Sequence, residues 1–336
     1  MTDPRQITEH PFVSIVMATH NRLSLLKDTL DTLYTQSYPK DRYEIIVVDD
    51  NSIDGTGQWL HAQPTKRDGV LFVAITLPPS GPAKARNAGI QQARGEYVMI
   101  TDDDCRIDAS CLAELVKSML QHPCGGIGGR VICQEHAGVV SHYCTHIRYN
   151  VTAESADTRL PFVNTANGLF PRAVLRKIRG FDENYHHLGA IDLEMCQRII
   201  DQGYQLRPCP SAVVLHLNKM TMRSLHTAFV NQSRGAAYIH AKRQPRQGAL
   251  FIMGYAAKLL RNLVRIIIET PLRILWHLIT RRQPVVEAML FPILDRTTKI
   301  ASMWGDVFLV VRSTVWRISS ALVPPQTKTP ELTSVR

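Results

Sequence analysis

Short β-rich apolar runs alternate with helical patterns through the first half of the chain, and this alternation most restricts what it can fold into. Phe12 to Ala18 (FVSIVMA), Tyr43 to Val48 (YEIIVV), Val70 to Leu77 and Tyr97 to Thr101 read as strands. Leu23, Leu26, Leu30 and Leu33 recur on one side of a helix that Asn21 would cap. Pro82, just after Gly81, opens another helix, which Gly95 would close. Strand and helix in this order bury their apolar faces in a mostly parallel central sheet flanked by helices. The strands end on Thr19, Asp50 and Asp104. Parallel alignment gathers those polar ends along one edge, where open α/β sheets bind ligands.

Downstream, Phe162 to Leu169 looks extended, Ile191 to Gln202 looks helical with Gly203 as its stop, and Gln205 to Leu215 looks extended again. With 45% hydrophobic and 20% charged residues over 336 positions, the composition is that of a folded chain. The seven cysteines (105, 111, 124, 133, 144, 196, 209) form no C-x-x-C pair. Neither a disulfide framework nor a cysteine zinc site is expected, and a reducing compartment is the simpler setting. The first residues, MTDPRQITEHP, lack the basic-then-apolar layout of a signal peptide.

A net charge of +10 favours acidic partners without choosing among them. Against that background Asp102-Asp103-Asp104 directly follows an apolar strand. Neighbouring carboxylates repel one another unless a cation lies between them, and oxygens converging on one point suit Mg2+ or Mn2+. Asp102 and Asp104 share a side of an extended segment because its period is two. A solvated acidic turn, with Asp108 capping the next helix, fits the same residues. Asp49-Asp50-Asn51-Ser52 reads either as a turn or as a site for a base or ribose. Lys84 and Arg86 lie at a helix start, where positive charge is mildly unfavourable unless an anion is near.

Taken in order, the runs VSIVMATHNR, EIIVVDDNSIDGT, GPAKARNAGIQQARGEYVMITDDDC, TANGLFPRAVLRKIRGFDENY, IDLEMCQRIIDQGYQL and VLHL resemble the family 2 inverting glycosyltransferases of GT-A fold, over about residues 12 to 218. The resemblance implies a nucleotide-diphosphate sugar donor, UDP-sugar by default, bound through Thr19, Asp50, Arg86, Asp102, Asp103 and Asn167. It implies a Mn2+ or Mg2+ site at Asp102, Asp104 and His216. Asp192 matches the catalytic base, which would take the proton of an acceptor hydroxyl as it attacks the anomeric carbon with inversion. The residue before that base is usually Glu in the family and is Ile191 here, so a catalytically silent homologue that binds nucleotide-sugar or a partner glycosyltransferase is the alternative. Glu194, two residues on along a helix, points elsewhere. Asn167, Gly168, Phe170 and Arg172 fall where the family builds the acceptor side. Phe181 is expected in the core, with Asp182 organising the backbone. Trp59, His186 and His187 are candidates for sugar contact.

From Lys258 the polar residues keep to one helical face, amid leucine, isoleucine and valine. Residues 248–336 hold twelve Lys/Arg against five Asp/Glu, and no 18-residue window of the helical stretch is free of charge. That pattern suits basic amphipathic helices lying on a membrane surface, the alternative being helices packed on the catalytic domain or a dimer seam. Nucleic acid is not an expected partner. The expected organisation is an N-terminal extension (1–11), a GT-A catalytic domain (12–245, with a donor half 12–105 and an acceptor half 106–245), an amphipathic helical region (248–323) and a disordered tail (324–336). The expected location is cytoplasmic, peripheral on the cytoplasmic face of a membrane, with a glycan or lipid-linked acceptor.

Overall fold

A computed structural model describes residues 10–134, 138–146, 159–184, 189–217 and 221–243, together with 271, 272, 274, 290, 291 and 293–295. Most of 248–323, the tail 324–336, most of the N-terminal extension, and His186 and His187 lie outside the described residues.

The first half of the catalytic-domain pattern, residues 12–105, is built as its periodicity predicts. Strands β1 (Val13–Thr19), β2 (Tyr43–Asp50), β4 (Val70–Leu77) and β5 (Tyr97–Asp102) run parallel in the order β4-β2-β1-β5. β1 and β2 are almost wholly buried, with apolar residues on both faces, as a central parallel strand must be. Between them come helices α1 (Leu23–Tyr34), α2 (Thr56–His61) and α3 (Pro82–Gln92), and a two-residue strand β3 (Lys66–Arg67) edges β4. β1 leads one way to β2 and β4, while β5 returns on its other side. The chain therefore reverses direction across the β1/β5 boundary, which opens a crevice at the strand C-termini.

Beyond β5 the nine-stranded sheet is mixed. The order continues β5-β8-β7-β9-β6, with β6 (Cys105–Ile107), β7 (Gly126–Cys133), β8 (Gly168–Pro171) and β9 (Leu206–His216). β8 pairs antiparallel with β5 and β7, β9 runs parallel to β7, and β6 pairs antiparallel with β9. Helices α4 (Cys111–Gln121), α5 (Val139–His146), α6 (Arg172–Lys177), α7 (Ile191–Asp201) and α8 (Met222–Arg243) complete the described elements.

Two apolar layers enclose the sheet. On one face α1 and α4 bury Leu26, Leu30, Leu33, Leu112, Leu115 and Met119; on the other α3, α6 and α7 bury Ala85, Ile90, Leu175, Met195 and Ile199. A third cluster joins Tyr143 and Cys144 of α5 to Leu225 of α8 and to Phe291 and Leu294. No helix among the described residues is long and apolar enough to cross a membrane.

Several local expectations change. Asn21 does not cap α1: it takes φ 52°, its Oδ1 accepts from Ile53 N, and Asp54 Oδ2 accepts from Leu23 N. Asp108 is not the N-cap of α4, a position held by Ser110; Asp108 Oδ1 instead accepts from the Ser110 amide and hydroxyl. α3 ends at Gln92, before Gly95, which sits where any Cβ would meet Ser14 N at 2.5 Å. Residues 162–169 are extended only at their end, after a 3-10 turn at Thr165–Asn167.

Candidate active site

The crevice is a cleft of about 790 Å³ lined by Thr19, His20, Arg22, Asp50, Ser80, Gly81, Arg86, Asp102, Asp103, Asp104 and His216, among others. Its rim is made by the loops after β1 and β2, which are tied across one another. Asn21 N donates to Ser52 Oγ, and His20 Nδ1 lies 2.7 Å from Asp50 O. Asp50 reaches the other way: its Oδ1 accepts from Ser80 N at 2.7 Å and its Oδ2 from Gly81 N at 2.9 Å. Asp50 thereby fixes the loop that launches α3, while still lining the cleft.

α3 carries Arg86 over the end of β5, where its Nη2 donates to Asp102 Oδ1 at 2.7 Å. The positive charge that was out of place in the first turns of a helix thus has its anion. The exposed Lys84 is ordinary surface. β5 ends at Asp102, and the next two residues turn, so Asp102 and Asp104 converge by a turn and not by strand alternation. His216, at the end of β9, places Nε2 3.4 Å from Asp104 Oδ1 and 4.0 Å from Asp102 Oδ2.

These carboxyls differ in acidity. Burial would raise Asp102, but Arg86, His216 and Arg22 outweigh it and hold the group below the usual carboxylate range. For Asp104 burial dominates and the carboxyl is raised, with His216 and Arg22 offsetting only part. Burial likewise raises Asp103. Asp104 Oδ1 is buried and accepts no hydrogen bond. A desolvated carboxylate oxygen without a donor is costly and is the expected signature of a cation position. Asp102, Asp104 and His216 therefore offer the donor types that suit a divalent ion, with the His216 imidazole lying between the two carboxylates.

Asp192 stands in the first turn of α7, outside the residues that line the cleft. It is near enough for Arg86 to lower and Asp102 to raise its pKa; burial is the larger effect and holds the carboxyl above the ordinary range. Glu194 is buried and faces away, accepting from Arg198 Nε and Nη2, so it offers no second base. Ile191 packs against the apolar layer beneath α7.

Other expected contacts are redirected. Asn167 is wholly buried and does not reach the cleft: its Nδ2 donates to Arg130 O and Ala212 O, and its Oδ1 accepts from Cys111 Sγ. It stitches β8 to β7 and β9, and is a structural residue in place of a donor contact. Thr19 and Asp103 line the cleft but are joined to each other, the Thr19 hydroxyl donating to Asp103 Oδ2 at 2.7 Å. Phe170 is core. Arg172 bonds Ala93 O and Glu96 O at the start of β5, the edge opposite the cleft. Trp59 packs on the core under Lys27. Phe181 is core and Asp182 accepts from Asn184 N, both as expected.

Arg22 escaped the sequence reading. Its Nη1 lies 3.0 Å from both Asp103 Oδ1 and Asp104 Oδ2, so it neutralises the acidic turn from the cleft side. Beneath, Thr29 Oγ1 donates to Asp103 O and accepts from Cys105 N, which pins the turn to α1.

The chain is 26% identical over 244 residues to a probable glycosyltransferase, YdaM, of Bacillus subtilis, covering 70% of this chain and 57% of that one. It is 26% identical over 196 residues to the glycosyltransferase AglE of Haloferax volcanii, covering 58% and 64%. It thus spans under two thirds of the length of either relative. Among solved structures it resembles the mannosyltransferase PcManGT of Pyrobaculum calidifontis, solved with GDP-Man and Mn2+, at TM-score 0.63 and 20% identity over 88% of both chains. It also resembles S. aureus TarS 1–349 with UDP-GlcNAc, at TM-score 0.51 and 17% identity over 92% of both. Those two likenesses speak for the GT-A fold alone. The family profile described as Glycosyl transferase family 2 matches residues 14–179, and that of Glycosyl transferase family group 2 matches 97–311, more than half of the chain. The protein belongs to glycosyl transferase family 2.

Proposed function

We propose that the chain moves a sugar from a nucleotide-diphosphate donor to an acceptor hydroxyl with inversion at the anomeric carbon, in the synthesis of a polysaccharide or other glycoconjugate. The observation that carries this reading is the meeting of Asp50, Arg86, Asp102, Asp104 and His216 on one cleft, with Asp192 in electrostatic reach. GDP-mannose with Mn2+ in one fold neighbour and UDP-GlcNAc in another support the donor class, and leave the base between guanine and uracil.

Asp102, Asp104 and His216 would hold Mn2+ or Mg2+, which when bound supplies positive charge to a diphosphate leaving group. Arg86 adds a guanidinium on the same side, already aimed at that position by Asp102. The Ser80 and Gly81 amides, held by Asp50, shape the nucleotide end. Asp192 takes the acceptor proton: its raised pKa lies nearer the working pH, where a general base is more effective.

The test compares the wild type with Asp192→Asn, using nucleotide-sugars and Mn2+. Donor binding, read as a rise in melting temperature, should persist in the variant, because a ligand that binds only the folded state must stabilise it. Transfer should fall by about 10²–10⁴-fold. Equal rates in the two proteins would favour a nucleotide-sugar binding role, and a product of retained configuration would overturn inversion.

A further inference from the structure

Cys105 follows the acidic turn, and antiparallel pairing sets it opposite His216. Leu217 N donates to Asp104 O, and Asp108 N donates to Val213 O. In an antiparallel ladder hydrogen-bonded pairs alternate with open ones, so Cys105 and His216 form an open pair, in which facing residues come closest. One ligand atom each from Asp104, Cys105 and His216 lies within 4.8 Å of the others, and all three residues are buried. Asp104 Oδ1, on a side chain only 5% exposed, accepts no hydrogen bond.

We propose that Asp104, Cys105 and His216 form a three-ligand site for a thiophilic divalent ion, Zn2+ by preference, which shares Asp104 and His216 with the Mn2+ or Mg2+ position. The sharing rests on the function proposed above; the site itself rests on the three side chains. Carboxylate, thiolate and imidazole make a zinc donor set with one position left open, whereas Mg2+ and Mn2+ favour oxygen. Binding replaces the thiol proton by the metal, and the proton passes to the buffer; no redox partner is involved. Because both ions need Asp104 and His216, Zn2+ excludes the oxygen-preferring ion and arrests transfer in competition with Mn2+.

Co2+ serves as the spectroscopic stand-in for Zn2+ on the full chain. The wild type should develop a near-ultraviolet thiolate-to-Co2+ charge-transfer band that Zn2+ removes. Cys105→Ala should lose the band and bind Zn2+ at least about tenfold more weakly, while Mn2+ affinity by paramagnetic resonance stays within about threefold. His216→Ala should also lose the band with Cys105 in place. If Cys105→Ala fails to fold, Cys105→Ser carries the same expectation with a hydroxyl in the space. No band in the wild type, or one that survives at Cys105→Ala because another cysteine supplies it, overturns the proposal. An absent band with intact nucleotide-sugar binding sinks this inference alone, and a present band without nucleotide-sugar binding sinks the donor reading alone.

Discussion

Asp192 is held in a place that disfavours its charge, and this has two measurable consequences. Burial raises its folded pKa, so the folded chain binds that proton more tightly than the unfolded chain does. Its favourable contribution is complete below the unfolded value, about 3.9, and is lost as pH climbs through the folded one. On the proposed mechanism transfer needs the carboxylate, so the acid limb of the rate profile should lie above that of an ordinary aspartate. Asp192→Asn should melt higher than the wild type at pH values above that limb, with the gain shrinking as pH falls through it; a lower melting temperature there would mark Asp192 as a structural anchor. Asp50, Arg86, Asp102 and Asp104 were legible in sequence because a strand end or helix start fixes where each lies, whereas His216 came through the family resemblance alone. Asn167 was not, because its role is set by Gly129 on the facing strand, where a Cβ would come 2.1 Å from Asn167 Nδ2. Nor was Arg22, whose two carboxylates are 81 and 82 residues away.

Among the elements, α3 sets the height of Arg86 above the sheet, and one glycine sets the height of α3. A Cβ at Gly89 would come 2.4 Å from Val16 Cγ1 and 3.3 Å from Val48 Cγ2, both fully buried. Alanine is the better helix former by about 1 kcal/mol. Overpacking between a helix and two close-packed strands costs about 1–3 kcal/mol, so the clash prevails. Gly89→Ala should therefore lower stability in urea by about 1–2 kcal/mol and weaken nucleotide-sugar binding as Arg86 lifts from Asp102. Unchanged stability would show that the helix rides loosely on the sheet. The parallel strands under α3 were readable because each is a long apolar run. β7 was not: GIGGRVIC dilutes its apolar signal with three glycines, one of which, Gly126, makes room for Phe170. β6 is three residues long and has no period to detect.

At the scale of the whole molecule, the segment whose basic and apolar residues predict a membrane face also contributes to the protein interior. Phe291 packs edge-on against Tyr143 with ring centroids 5.6 Å apart, and Leu294 is buried beside it, whereas Leu290 and Ile293 remain exposed. This cluster of α5, α8 and the 290s is separate from the two layers around the sheet, so it can loosen without unfolding them. It is connected to the turn that carries Asp192 all the same. Gly189 N donates to Asn231 O of α8, and a Cβ at Gly189 would come 2.6 Å from Gln232 N, so α8 bears directly on the turn that leads into α7 and Asp192. Phe291→Ala should remove about 3 kcal/mol of local stability, seen as faster amide exchange in α5 and α8 with β1, β2 and β5 unchanged. Because the donor cleft lies on the sheet edge and Asp192 depends on α8, the same variant should lower kcat while leaving nucleotide-sugar affinity intact. Faster exchange in α8 with an unaltered kcat would show that Asp192 is positioned by α7 and the sheet alone.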